Sequence, residues 1–316
     1  MPAPSVSQVH VNRPLTNISV AFMQNPNNFV WDKVFPTIPV DKKSDLFFTY
    51  PLGQWFADDA QARRAGTESA GSGYPVSTDS YNCKKYSFHK DIDDDTRANA
   101  DDPINLDREA TEFITQTLMQ RQENQWVSDF FTTSVWATDL TPTNRGSDYT
   151  SSDPLTDIDT GKETILKNTG FEANTLVLGY KVYRQLMRHP DFRDQIKYTS
   201  PENVNAALLA KILDVERVLV AKSVKRTSLE GETNVFDFIH GKHALLLHVA
   251  KNPGVLVPSA GYSFAWRGVS GGMGTNIAVK RFRIERLEVD RVEGSTAFQN
   301  KVVSAPLGYF FNGAVA

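Results

Sequence analysis

The most informative pattern of apolar and polar positions in this 316-residue chain covers residues 44–102. An aromatic run, Leu46–Tyr50 followed by Trp55 and Phe56, leads into a small, polar stretch at residues 65–73, and the returning limb is again apolar. Two strand-like limbs around a Gly/Ser tip predict a long hairpin. Because an isolated two-stranded hairpin is marginal in water, we expect its aromatic residues to pack on another surface. A second copy of the chain is the nearest candidate.

A second pattern predicts one long helix over about residues 103–133. Its apolar positions recur at three- and four-residue spacing, as in an amphipathic helix; they are Leu106, Ala110, Phe113, Ile114, Leu118, Val127, Phe130 and Phe131. Asp102 and Pro103 suit a helix start, and Asp107 and Glu109 would lie near the positive end of the dipole. Such a helix would be roughly 45 Å long and needs an extended partner.

The alternation of residues 277–293 predicts that partner. Its apolar pairs are Ile277/Val279, Phe282/Ile284 and Leu287/Val289. The parity of the pairs shifts along the segment, which favours one long strand with bulges or strong twist. At the usual rise per residue it would span roughly 55 Å.

The middle of the chain predicts a compact α/β region that follows a loop-rich insert at residues 139–163. Three apolar runs are typical of buried strands: Thr175–Leu178, Arg217–Ala221 and Ala244–Val249. Helices are expected at Tyr180–Met187 and from Ser200–Pro201 to Leu213.

Residues 1–43 are rich in Asn and Pro and carry scattered aromatic side chains. Pro36 and Pro39 oppose a helix, so we interpret the segment as an extended arm with aromatic anchors. The alternative is an N-terminal strand pair inside the chain's own core.

Charge and cysteine content exclude some classes of function. The formal net charge is -3, so no global basic field favours tight, sequence-reading DNA binding, although a surface could still enclose nucleic acid. Cys83 is the only cysteine, which excludes an intrachain disulfide and suits a reducing compartment. Neither a secretory signal nor a stretch of about 18 apolar residues for a membrane span is present in the sequence.

The acidic run from Asp91 to Asp102 invites comparison with a calcium loop. Thr96 stands where that loop needs glycine, and Asp102 where it needs a bidentate Glu. We therefore favour a solvated turn, or contacts with basic residues of a neighbouring copy.

Other motifs nominate no catalytic, cofactor or metal residue. His240, His243 and His248 lack a completing carboxylate and are interpreted as surface or strand histidines. The loop Gly268–Gly274 lacks the Lys-Ser/Thr of a phosphate-binding loop and is expected to be a hinge or mobile loop. The alternative to a hairpin that packs on a second copy of the chain comes from another functional class. It is a soluble α/β enzyme with a mobile lid at residues 55–80.

In the order of its segments and in three stretches, the chain resembles the major capsid proteins of tailed bacteriophages, whose fold encapsulin shells share. The stretches are Phe29–Pro36 with Ile38–Val40, Ala173–Gly179 through Arg188–Pro190, and Lys301–Val303 through Leu307–Phe311. The resemblance implies an α+β fold divided as follows: N-terminal arm 1–43, E-loop hairpin 44–90, P-domain 91–165 with the spine helix, A-domain 166–268, a long P-domain return strand 269–298, and a closing A-domain segment 299–316.

The resemblance also implies a function, which is a non-enzymatic shell subunit in the virion capsid, assembled in the host cytoplasm. Hexamers and pentamers would enclose double-stranded DNA without sequence-specific binding, without a membrane and without a cofactor. We expect a separate scaffolding protein and a portal during assembly, and the family allows for a decoration protein. An encapsulin-type compartment shell is the alternative.

We expect a set of aromatic and charged residues to make the contacts between subunits. On the arm and hairpin they are Phe22, Phe29, Trp31, Phe48, Trp55 and Phe56. The charged residues that would set register are Arg63, Arg64, Lys84, Lys85, Asp93 and Asp94.

Overall fold

The computed structural model describes residues 23–100, 104–143, 145–196, 205–254, 256–270 and 277–316. The helices are α1 Trp31–Val34, α2 Leu52–Trp55, α3 Asp94–Ala98, α4 Leu106–Phe130, α5 Pro154–Thr169, α6 Tyr180–Leu186, α7 Pro190–Ile196, α8 Ala206–Ile212 and α9 Arg267–Ser270. The strands are β1 Thr37–Val40, β2 Ser44–Thr49, β3 Ser77–Asn82, β4 Lys84–Asp93, β5 Thr138–Leu140, β6 Thr175–Gly179, β7 Arg217–Ala221, β8 Val224–Arg226, β9 Phe236–Phe238, β10 Ala244–Leu247, β11 Gly261–Trp266, β12 Ala278–Ile284, β13 Val289–Val302 and β14 Gly308–Phe311. The predicted α+β class is confirmed.

One five-stranded sheet has the order β5-β14-β10-β6-β7. Strands β6, β10 and β14 are buried along their whole length, which explains why they appear in the sequence as continuous apolar runs. Gly161 of α5 lies directly against this sheet: a Cβ there would come within 3.3 Å of Leu246 and Tyr309. Strands β6, β7 and β10 begin at the residues predicted for the α/β region, whereas β5 lies where no strand was predicted.

The second sheet is built on β13, which pairs with β4, β11 and β12. Helix α4 lies across it, and the apolar face of the helix packs against Ile92 and Val292. Gly294 of β13 permits the close approach, because a Cβ there would be only 2.4 Å from Ile114 and 2.8 Å from Leu118 of the helix. The 25-residue helix therefore packs on a sheet, as predicted, but on β4 and β13 and not on one strand formed by residues 277–293.

The predicted single long strand over residues 277–293 is wrong. The segment is an antiparallel hairpin, with β12 and the first half of β13 joined by a 3₁₀ turn at Glu285–Leu287. Glu288 follows in the left-handed region at φ 52°. The turn accounts for the change of parity between Ile284 and Leu287, whereas the earlier change, between Val279 and Phe282, lies inside β12, whose register is continuous.

Two helix predictions also need correction. Part of the insert at 139–163 is helical, because Asp153 accepts a hydrogen bond from the Thr156 N–H and Pro154 occupies the first helical position of α5. Helix α4 is capped by Asn105 and not by Asp102, which lies outside the described residues. Ser200, Pro201 and residues 271–276 of the glycine-rich loop also lie outside them.

The N-terminal region belongs partly to the chain's own core. Phe29, Val34 and Phe35 are at most 1% exposed, and β1 pairs in parallel with β11 of the second sheet. For residues 29–40 the alternative of a core segment is therefore the observed one. Residues 1–22, including Phe22, lie outside the described residues.

Candidate inter-subunit surface

The predicted hairpin is present, formed by β2 and β3 with Ser44 opposite Asn82 and Thr49 opposite Ser77. The returning limb divides at Cys83, since β4 leaves the hairpin and pairs with β13 instead. Tyr86, Phe88 and Ile92 therefore belong to the second sheet and not to the hairpin.

The base of the hairpin is fixed to the body of the protein. Tyr81 stacks on Phe264 with ring centroids 4.7 Å apart, and Phe47 lies 5.6 Å from the same ring. The buried Cys83 lies beside them and donates to the Phe264 carbonyl at 3.6 Å. Burial raises the pKa of the Cys83 thiol to about 11, so its reactive thiolate form is scarce at neutral pH.

The outer hairpin, residues 46–76, exposes a concentration of large apolar side chains. They are Leu46 63%, Phe48 70%, Trp55 53%, Phe56 59%, Tyr74 55% and Val76 49% exposed. Trp55 and Tyr74 lie 5.1 Å apart between ring centroids, and Tyr50 lies 6.2 Å from Tyr74. Scattered single apolar residues are normal on a protein surface, but a contiguous group marks an interaction site.

Phe56 contacts the body of its own chain at Gly170. A Cβ at Gly170 would lie 3.1 Å from the edge of the Phe56 ring, so the ring rests on the glycine that ends helix α5. Gly170 adopts φ 72° there, which favours glycine. More than half of the Phe56 surface still faces solvent.

Two further extremities carry exposed apolar residues. On the β8–β9 hairpin these are Leu229, Val235 and Phe236. On β12 and the turn after it they are Val279, Phe282 and Leu287. The exposed apolar surface is thus spread over several projections instead of lining one pocket, which suits contacts with several neighbours.

The charged residues predicted for contacts divide into two groups. Arg63, Arg64, Lys84 and Lys85 are exposed, as a contact role needs. Asp93 and Asp94 instead have partners within the chain, which corrects the expectation that they face a neighbour's basic residues.

Local geometry explains why these two aspartates bind groups of their own chain. Asp93 caps helix α3 by accepting from the Thr96 N–H at 2.6 Å, and Asp94 forms a bidentate pair with Arg283 at 2.6 Å. These bonds hold the pKa of both carboxyls below their usual range. Asp91 pairs in the same way with Arg291 at 2.6 Å. No group of three or more metal-ligating side chains occurs in the described parts of the chain.

A network of ion pairs continues from this turn. Arg97 bridges Asp107 and Asp290 at 2.9 and 3.1 Å, and Arg281 contacts the same two carboxylates at 3.2 and 2.9 Å. The network ties α3 and α4 to the β12–β13 hairpin. The sequence patterns do not predict this network, because its members are distant from one another along the chain.

The three histidines have different partners and surroundings in the structure. His240 is 1% exposed, so the prediction of a surface or strand position is wrong for it. His243 accepts from the Gly313 N–H at 3.0 Å, and His248 contacts the Glu172 carbonyl at 2.7 Å.

No helix among the described residues is both long and apolar enough to cross a bilayer.

No protein-family model matches the chain. Among curated proteins it is similar to the major capsid protein of Burkholderia phage BcepMu, with 29% identity over 167 residues. That match covers 51% of this chain and 50% of the relative, so the chain spans about half the length of the curated protein it matches.

Solved structures match over nearly the whole chain. A phage-related protein from Bordetella bronchiseptica RB50 superimposes with a TM-score of 0.69 at 20% identity, covering 92% of this chain and 93% of that one. The capsid structure of cyanophage P-SCSP1u gives a TM-score of 0.63 at 11% identity, covering 98% and 94%. The encapsulin of Synechococcus elongatus gives 0.53 at 12% identity, covering 99% and 96%.

At these identities the structural matches establish the fold. They agree with the sequence resemblance and with the similarity to a phage capsid protein. The chain therefore has the fold of phage major capsid proteins, which encapsulin shells share.

Proposed function

We propose that this chain is the major capsid protein of a tailed, double-stranded DNA bacteriophage and that its mechanism is self-assembly. Hexamers and pentamers of the chain would form the icosahedral shell around the genome. The observation that carries the proposal is the outer hairpin, in which every residue from 55 to 76 is exposed although the segment includes Trp55, Phe56 and Tyr74.

Burial of this hairpin on a neighbouring copy would supply assembly free energy. An aromatic side chain buries 150–250 Å² in a protein interior, so about 100 Å² of each half-exposed ring remains available. At about 25 cal/mol per Å² this amounts to about 2–3 kcal/mol per ring before the cost of association. Repeated around a closed ring of subunits, contacts of this size favour a shell over free subunits.

Three of the aromatic residues predicted from sequence stay in this proposal, namely Phe48, Trp55 and Phe56. Phe29 does not, because it is 0% exposed in its own chain, and Trp31 packs partly against its own core. Arg63, Arg64, Lys84 and Lys85 would set the register of the contact. Exposed ion pairs contribute only about 0–1 kcal/mol each, so strength would come from the rings.

The proposal includes further partners that follow from the resemblance. A scaffolding protein and a portal would act during assembly in the host cytoplasm, and a decoration protein could bind the finished virion capsid. A net charge of -3 suits a surface that encloses DNA, because tight binding to phosphates requires many basic residues. The proposed role is structural and not catalytic.

An encapsulin-type compartment shell is the second candidate, since the Synechococcus encapsulin has the same fold. The similarity to the BcepMu capsid protein favours the phage assignment. The contents of native particles separate the two: double-stranded DNA supports the capsid, and a protein cargo supports the compartment.

Electron microscopy of the purified chain, together with sedimentation velocity, tests the proposal. We expect closed shells, tubes or ring-shaped capsomers at micromolar concentration. A protein that remains monomeric or dimeric across a range of salt and protein concentrations would contradict both shell candidates and would favour the enzyme alternative.

A further inference from the structure

A buried carboxyl group joins three parts of the fold. Glu123 of helix α4 is 0% exposed and accepts hydrogen bonds from the backbone N–H groups of Val30 at 3.1 Å and Trp31 at 3.0 Å. The Ser223 hydroxyl, which follows β7, donates to the other carboxyl oxygen at 3.0 Å. One side chain thus connects the N-terminal segment, the long helix and the first sheet.

The same site contains an unsatisfied histidine. His240 lies with its Nδ1 atom 3.5 Å from Oε1 of Glu123, and among the described residues neither of its ring nitrogens has a hydrogen-bond partner. Trp126 and Phe131 pack against the ring at 5.7 and 5.0 Å between centroids. A buried polar atom without a partner is costly, so a proton between His240 and Glu123 would stabilise the site.

The surroundings favour an uncharged pair. Burial raises the pKa of Glu123 to about 7 against the opposing effect of its three donors, and the nearby Asp32 carboxylate raises it further. Burial, with a smaller contribution from His243, lowers the pKa of His240 to about 3. With a neutral His240, the proton resides on Glu123 and can be donated to Nδ1.

We propose that Glu123 and His240 share one proton and that this proton fastens residues 28–34 to helix α4. While it is present, the carboxyl group is neutral, and Nδ1 of His240 has Glu123 as its partner. When it leaves, a buried negative charge remains that has hydrogen-bond donors but is removed from water, and opening of the N-terminal segment gives that charge access to water.

Other bonds to the same segment do not titrate near neutrality. The Arg217 guanidinium donates to the carbonyls of Lys33 and Val34 at 2.9 Å, and the Lys222 N–H donates to the Asn28 carbonyl at 3.2 Å. Because these bonds persist at every pH of interest, the segment should loosen as pH rises without the whole fold being lost.

The direction of the pH effect follows from the raised pKa. In the opened segment Glu123 has its ordinary value of 4.5, and in the closed segment about 7. Between these values the closed form binds the proton and the open form does not, so opening becomes easier as pH rises and levels off above about pH 8. The opening equilibrium should increase on the order of tenfold from pH 5.5 to 7.5.

Hydrogen exchange of the full-length chain, read as protection factors for the Val30 and Trp31 amides, tests this inference. Wild type should lose protection on the order of tenfold from pH 5.5 to 7.5. Glu123→Gln, which has nearly the same shape and cannot ionise, should show no such loss. The Cys83 amide, which donates to the Lys43 carbonyl at 2.8 Å, is the internal control and should not change in either protein.

Two other variants keep the inference testable if Glu123→Gln folds poorly. Ser223→Ala removes a donor that favours the ionised form and should move the midpoint to higher pH. Asp32→Asn removes a neighbouring like charge and should move it to lower pH. Three results would overturn the inference. The protection factor of wild type does not vary with pH, Glu123→Gln loses protection equally, or the midpoint is the same in Ser223→Ala and Asp32→Asn as in wild type. Because the readout lies within one chain, it does not depend on whether shells form.

Discussion

Replacing residues 55–76 by a four-residue Gly/Ser linker should give a folded subunit that cannot form closed shells. The removed residues are all exposed, so their loss should change the free energy of unfolding of the subunit by no more than about 1 kcal/mol. The strands β2 and β3 and the packing of Tyr81 on Phe264 remain. Shell formation should be lost, because Trp55, Phe56 and Tyr74 are removed from every subunit contact at once.

A matched control separates the aromatic side chains from the length of the loop. Residues 65–73 are small or polar and are all exposed, so replacing them with nine Gly/Ser residues keeps both length and aromatic content. This control should still assemble. Sedimentation velocity and electron microscopy compare the two variants with wild type, and normal particles from the deletion would show that the hairpin is dispensable for assembly.

The second large effect is expected at Trp126, a buried aromatic residue that contrasts with the exposed aromatic residues of the outer hairpin. Its indole ring is 0% exposed and packs against Phe35, Phe130 and Phe131 at centroid distances of 6.2, 5.3 and 5.4 Å. Trp126→Ala should lower the free energy of unfolding by about 3–5 kcal/mol, because it removes a large buried side chain and leaves a cavity. Chemical denaturation of dispersed subunits measures this.

Trp55→Ala is the paired variant, because it makes the same chemical change at a residue that is 53% exposed. Its subunit stability should stay within about 1 kcal/mol of wild type, while the protein concentration needed for assembly should rise. If Trp55→Ala destabilises the subunit as much as Trp126→Ala does, the ring belongs to the chain's own core and the interface assignment fails.

The sequence predicts those parts of the fold whose patterns are local. Strand β7 has the predicted bounds, Arg217–Ala221, because a short apolar run rich in valine is a local signal for a strand. The outer hairpin is predictable for the same reason, since aromatic limbs around a Gly/Ser tip are a short-range signal. The exposure of Phe48, Trp55 and Phe56 follows from that signal.

The errors occur where distant contacts decide the structure. The β12–β13 turn contains no Gly, Pro or Asn at Glu285–Glu288, so nothing local marks it. Phe29 is indistinguishable in sequence from an arm anchor, and it is buried because the chain returns to cover it. Glu123 has no local signature, since the N–H groups that it binds are more than 90 residues earlier in the chain.

The central claim is that the outer hairpin is completed by an identical neighbour. A high-resolution electron microscopy map of particles assembled from the wild-type chain tests it most directly. We predict that the rings of Phe48, Trp55 and Phe56 in each copy lie in van der Waals contact with an adjacent copy. A closed shell in which these rings face solvent, or pack only on their own chain, would contradict the account.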